Sequence, residues 1–108
     1  MSIRINVNAL IVRDDKMLLI KFDDEKGPYY NLPGGGVDNG ESLAGALKRE
    51  CLEEAWADVN VLDLVGAWEY IPELHANKFG SKQKVGFIFS CSLKAGSSPS
   101  MPAKPDSH

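Results

Sequence analysis

The run Arg49-Glu50-Cys51-Leu52-Glu53-Glu54-Ala55, preceded at fixed distances by Gly35 and Glu41, constrains this chain more than any other stretch. On a helix at roughly 100° per residue, Glu50 and Glu54 stand one turn apart with Glu53 beside them. The spacing predicts a helix from about Ser42 to Ala55. Ser42 is placed to cap it, and Glu41 lies where an acid suits the positive helix end. Leu43, Ala44, Leu47, Cys51 and Ala55 form the apolar stripe, with Glu50 and Glu54 at its border, so these carboxylates flank a packed face. Without a cation, like charges one turn apart cost roughly a few tenths of a kcal/mol. An oxygen-only cluster of this kind suits Mg²⁺ or Mn²⁺ rather than zinc or copper.

Strand patterns lie on both sides of the helix. Ile3 to Val12 alternates and is rich in β-branched residues, and Met17 to Phe22 reads as a second strand joined to it through the polar turn Arg13-Asp14-Asp15-Lys16. Asp23 to Pro28 reads as a charged loop, Tyr29 to Leu32 as a short extended piece, and Pro33-Gly34-Gly35-Gly36 as a turn. Val59 to Tyr70 reads as a strand or a bent pair interrupted at Gly66, Ile71 to Ser81 as a polar loop, and Lys82 to Leu93 as the last strand. From residue 95 the composition collapses to Gly, Ser and Pro. The expected division is therefore a domain over residues 1–94 and a disordered tail over 95–108.

A chain of 108 residues with 44% hydrophobic and 25% charged residues is a single ordinary globular domain. A net charge of −3 gives no footprint for nucleic acid or for a membrane surface; Lys78, Lys82 and Lys84 read as a solvated loop and strand edge. No apolar run approaches the roughly 20 residues that span a bilayer. The N-terminus has no apolar signal segment. Cys51 and Cys91 lack a CxxC spacing and read as buried free thiols, so a reducing cytoplasmic setting is expected.

Written as G-x5-E-x7-R-E-U-x-E-E, with Cys51 at the aliphatic position U, the run from Gly35 to Glu54 resembles the Nudix box of the MutT-like pyrophosphohydrolases. Six fixed residues of common types coincide by chance on the order of 10⁻⁷ per start position. Leu32-Pro33-Gly34-Gly35 and the hairpin before it resemble the family's approach to the box, and the resemblance extends from about residue 3 to residue 93. It implies an α/β fold: an α/β/α sandwich with a mixed β-sheet, here without the strand and helix that normally follow at the C-terminus. It also implies hydrolysis of the pyrophosphate bond in nucleoside diphosphate derivatives with Mg²⁺ or Mn²⁺. Glu50 and Glu54 match the main metal ligands, Glu53 a third ligand or water-activating base, and the Gly34 carbonyl a backbone ligand. Arg49 matches the arginine that orients a box carboxylate; Gly35 and Glu41 match structural positions.

The chain departs from the family pattern at the helix exit, where Trp56 replaces the box glycine and Ala57 an aliphatic residue. Glycine there fits a left-handed cap, and a tryptophan held in that conformation costs roughly 1–2 kcal/mol. A changed helix exit is therefore expected, with the carboxylates in place. The early end of the chain implies an uncovered sheet face, in a truncated form or in a homodimer whose second chain supplies the cover.

Outside the box, Glu69 and Glu73 are the remaining candidates for a distal catalytic glutamate, with a polar strand end and loop as the equal alternative. His75 reads as a solvated loop histidine. Trp68 and Tyr70 can stack on a base but read better as strand-face packing. Pro72, beyond the box, leans the substrate toward ADP-ribose-like compounds over nucleoside triphosphates, because some ADP-ribose pyrophosphatases carry a proline near there. The alternative to an enzyme is a metal- or nucleotide-binding module that turns over little.

Overall fold

A computed structural model describes residues 2–99. The first strand, β1 (Arg4–Arg13), turns through Asp14 and Asp15, both at positive φ (54° and 61°), into the short β2 (Lys16–Met17). Aspartate tolerates this left-handed region, which two-residue hairpin turns require. The remaining strands are β3 (Ile20–Asp24), β4 (Gly27–Asn31), β5 (Gly34–Gly36), β6 (Val59–Tyr70) and β7 (Lys84–Leu93); α1 spans Leu43–Ala55. The main sheet is mixed, in the order β2-β1-β7-β6 with β5 also paired to β1. β1 and β7 run parallel; the β1–β5 and β6–β7 pairs are antiparallel.

Val7, Ala9 and Ile11 project from one face of β1 onto Ala46, Leu47, Cys51 and Ala55 of α1, and Ile20, Ala57, Val59 and Cys91 complete the core. Among the described residues α1 is the one helix, and it covers this face. The predicted stripe needs one exchange: Ala46 is fully buried, whereas Ala44 is only partly so. Ser42 caps the helix, its hydroxyl accepting the Gly45 N–H at 2.9 Å.

The helix exit corrects the sequence expectation. Trp56 takes the conformation a glycine would, at φ 54° and ψ 30°. Its N–H donates to the Leu52 carbonyl at 3.1 Å, and the Ala57 N–H to Cys51 at 3.2 Å. Burial of Ala57 and Val59 in the core fixes where the chain must go next, and this overrides the local cost at Trp56.

The segment between the first strand and the helix also folds differently from the reading. Met17 to Phe22 is two pieces rather than one strand: after β2, Leu18 donates to the Ile11 carbonyl at 3.0 Å and the chain leaves the main sheet. β3 and β4 then form their own hairpin, with the Phe22 and Tyr29 rings stacked at 5.3 Å, so the predicted charged loop over Asp23 to Pro28 is its tip. Gly34–Gly36 is a strand rather than a turn, paired residue for residue with Asn6–Asn8. Composition misled both readings: the charged stretch closes a local hairpin, and the glycines pair with a strand far back in the chain. β6 is a single strand with register shifts between Val61 and Gly66. β7 begins at Lys84, two residues later than expected. Of the predicted tail, Ser97 accepts the Asp58 N–H at 3.0 Å, while residues 100–108 lie outside the described residues.

Candidate active site

The glycine strand and the helix face each other at contact distance. A Cβ added to Gly35 would lie 2.6 Å from the Glu50 carboxyl carbon, so glycine is what lets this carboxylate rest against β5. One position earlier, the Gly34 N–H donates to Glu54 Oε1 at 2.8 Å.

Arg49 organises the other side. Its Nε and Nη2 fork onto both Glu41 oxygens at 2.7 and 2.8 Å; Nη1 reaches Glu50 at 3.2 Å and Glu53 at 3.3 Å, and Nη2 reaches the Gly36 carbonyl at 3.1 Å. Asp38, which the sequence did not single out, stands 3.5 Å from the same guanidinium. Hydrogen bonds from Arg49, and then the Asp38 N–H at 2.9 Å, hold Glu41 down to about 2. A planar five-donor cation suits such a ring of carboxylates as a lysine would not.

The predicted residues thus come together in two groups. Glu41, Glu50 and Glu53 surround Arg49, while Glu54 turns toward Gly34. Among the described residues no three Asp, Glu, His or Cys side chains close on one point as a finished cage. The carboxylates are nonetheless crowded in a way that favours a cation. Glu54 is only 7% exposed, and burial pushes its carboxyl up to about 7; the Gly34 N–H opposes this, and nearby Glu50 and Glu53 add to it. Burial also raises Glu50, against the pull of Arg49. Two raised carboxyls on one helical turn, held against a glycine strand, fit a hard divalent cation that would relieve both burial and repulsion.

A cleft of about 610 Å³ opens from this point, lined by Gly34, Gly35 and Glu54 at one end and by Asn6, Asn8 and Trp68 further along. Sequence reading missed the two asparagines. Their signal was present as polar residues at alternate positions of an otherwise apolar strand, on the face opposite Val7 and Ala9. Lys84, read as a strand edge, also lines this cleft, its ammonium 5.8 Å from the centre of the Tyr70 ring. Tyr70 is packing, as expected: it is buried, its hydroxyl donating to Gly80 and accepting the Phe79 N–H. Glu69 lines the cleft, Glu73 is exposed, and His75 stacks on Tyr70 at 5.4 Å between ring centres.

Among the described residues, a mixed sheet with a helix on one face, a glycine strand against a glutamate-bearing turn and an arginine fork is the arrangement expected of a MutT-like α/β fold. The NUDIX domain family model matches residues 2–106, and the chain belongs to the Nudix hydrolase family. It is 32% identical over 88 residues to the nucleoside triphosphatase NudI of Escherichia fergusonii, covering 77% of this chain and 62% of that protein. The chain therefore spans somewhat under two thirds of the length of that curated relative. Among solved structures, a MutT NUDIX hydrolase from Burkholderia pseudomallei superposes with a TM-score of 0.78 at 28% identity, covering 98% of this chain and 78% of that one. An ADP-ribose pyrophosphatase from Streptococcus suis follows at 0.70 and 25%, covering 96% and 69%.

Proposed function

We propose that the chain hydrolyses the pyrophosphate bond of nucleoside diphosphate derivatives, nucleoside triphosphates and ADP-ribose-like compounds among them, with Mg²⁺ or Mn²⁺. The observation that carries this reading is Glu54: a carboxyl buried, raised to about 7 and aimed at the glycine strand, on the same turn as Glu50 and Glu53. Glu50, Glu54 and the Gly34 carbonyl would hold the cation, with Glu53 as a third ligand or as the base that takes a proton from the attacking water. When bound, the cation acidifies that water and neutralises charge on the phosphate oxygens. Arg49 fixes the rotamers of Glu41, Glu50 and Glu53. Gly34 and Gly35 let backbone and phosphate approach without a Cβ between them.

A weakly active binding module is the competing reading. Trp56 spoke for it in the sequence, but the glycine-type exit is kept, and Glu50, Glu53 and Glu54 share one stretch of the helix, which favours the enzyme. The buried free cysteines support a reducing cytoplasmic setting. No helix among the described residues is long and apolar enough to cross a membrane. Exposed Leu62, Leu64 and Val65 on β6 support a homodimer, which sedimentation across a concentration series tests.

The deciding assay is a screen of nucleoside triphosphates and ADP-ribose with Mg²⁺ or Mn²⁺, run beside Glu54→Gln. Turnover that the variant loses is the expected result. No turnover with either metal, or turnover the variant keeps, overturns the proposal.

A further inference from the structure

The sheet face opposite α1 carries an arrangement that neither the core nor the carboxylate site explains. Trp68 on β6 pairs with Gly86 on β7, and Gly86 pairs in turn with Asn6 on β1. A Cβ at Gly86 would run into the indole at Cε2, Nε1 and Cζ2. The ring therefore lies across β7, over the one residue type that leaves room for it. Its far edge reaches β1, where Nε1–H donates to Asn8 Oδ1 at 3.0 Å. The indole is held at both ends and rests on strands rather than loops.

Aromatic cover of a glycine in a sheet is a known stabilising device and accounts for the lower ring face. It does not account for the upper one. Trp68 is only half-buried and lines the cleft, whereas neighbouring Tyr70 shows what packing looks like here, at 5% exposed. Nor does it account for Asn6. The Asn6 Oδ1 is buried with no hydrogen-bond partner among the described residues, and Asn6 lines the same cleft. A buried acceptor left unpaired costs free energy until a donor reaches it. At the other end of the cleft stand Gly34, Gly35 and Glu54, and Asn8, which pins the indole, is itself paired with Gly34.

We propose that Trp68 is the nucleobase platform of this protein: a base stacks on the open indole face and donates an edge N–H to Asn6 Oδ1. Gly86 and Asn8 are positioning residues that hold the ring flat. This deepens the pyrophosphohydrolase reading and rests on it only for the direction in which the phosphates point. Stacking on an aromatic ring tolerates any base, while the Asn6 acceptor sets which edge is preferred.

The test uses neutral nucleosides without metal, so that neither catalysis nor repulsion from the glutamates enters. The chain has two tryptophans, and Trp56→Gly leaves Trp68 as the sole reporter. Adenosine, guanosine, cytidine or uridine is expected to quench its fluorescence, and ribose is not. By calorimetry, Trp68→Ala and Gly86→Ala raise Kd roughly tenfold, and Trp68→Phe recovers most of that loss. Asn6→Leu weakens binding with the ring in place. With Mg²⁺ and a nucleoside triphosphate, Gly86→Ala raises KM about tenfold at similar kcat, whereas mere loss of folded protein would lower kcat at unchanged KM. Should Gly86→Ala fail to fold, the Trp68→Ala and Trp68→Phe pair decides alone. Equal quenching by ribose, no quenching at millimolar nucleoside, or an unchanged Kd in Trp68→Ala overturns the platform and leaves the hydrolase reading standing. Quenching without turnover on any nucleotide keeps the platform and overturns the hydrolase.

Discussion

Trp56 offers a measurement in which one backbone angle can be weighed by itself. The residue sits at φ 54° and ψ 30° and is 61% exposed. Replacing it by glycine removes the crowding of Cβ against the backbone, about 1–2 kcal/mol, but also removes whatever the indole covers. Replacing it by alanine removes the same indole and keeps Cβ. The difference between the two variants therefore isolates the left-handed strain. From it must be subtracted the greater freedom of an unfolded glycine, about 0.4–1 kcal/mol. Glycine should then be the more stable by about 0.5–1 kcal/mol, a rise in Tm of roughly 2–8 °C for a domain of this size. The sign is opposite to that inside a helix, where glycine is worse than alanine by about 0.5–1 kcal/mol. Trp56→Asn should fall near the glycine variant, because asparagine tolerates this region. Thermal unfolding followed by circular dichroism at one pH is sufficient. An alanine variant as stable as the glycine variant would refute the strain reasoning, whatever either does relative to the parent chain.

Other consequences follow from the site. Gly35→Ala places a methyl 2.6 Å from the Glu50 carboxyl carbon and should cut turnover on the order of 10²-fold while leaving the circular dichroism spectrum unchanged. Glu54 holds its proton longer in the folded state than its ordinary 4.5, so its stabilising contribution is complete below 4.5 and is lost as pH rises through about 7. In chelator, Tm should fall between pH 5 and 8; Mg²⁺ should restore more at pH 8 than at pH 5, and Glu54→Gln should remove the slope. Glu41 behaves in the opposite sense, with its carboxyl depressed to about 2: the Arg49 fork stabilises above 4.5 and is lost as pH falls toward 2. Arg49→Leu should therefore flatten the acid limb of a Tm profile, and an unaltered limb would show that the fork contributes nothing.

Much of the site was legible because it is local. Glu50, Glu53, Glu54 and Arg49 lie on consecutive turns of one helix, so helical geometry alone places them together, and Ser42 and Ala55 bound that helix as read. The Arg49 to Glu41 fork was less legible, and Asp38 and the Gly36 carbonyl not at all, since the end of β5 and the loop after it bring them in. Met17 to Phe22 shows the limit of pattern reading: the apolar run does contain strand residues, but which strand each half would join depended on partners elsewhere in the chain.

The sequence by itself determined the helix, its cap, the carboxylate turn and the family. It also carried the conflict at Trp56, which a glycine would have avoided. Tertiary structure decided how that conflict ends, because the buried Ala57 and Val59 hold the exit in a conformation the side chain resists. It likewise decided that Gly34–Gly36 is a strand and that Trp68 lies over Gly86, since the first depends on pairing between β1 and β5 and the second on pairing between β6 and β7. Periodicity reports which face a residue shares with its neighbours in sequence; only the register between distant strands reports what stands opposite.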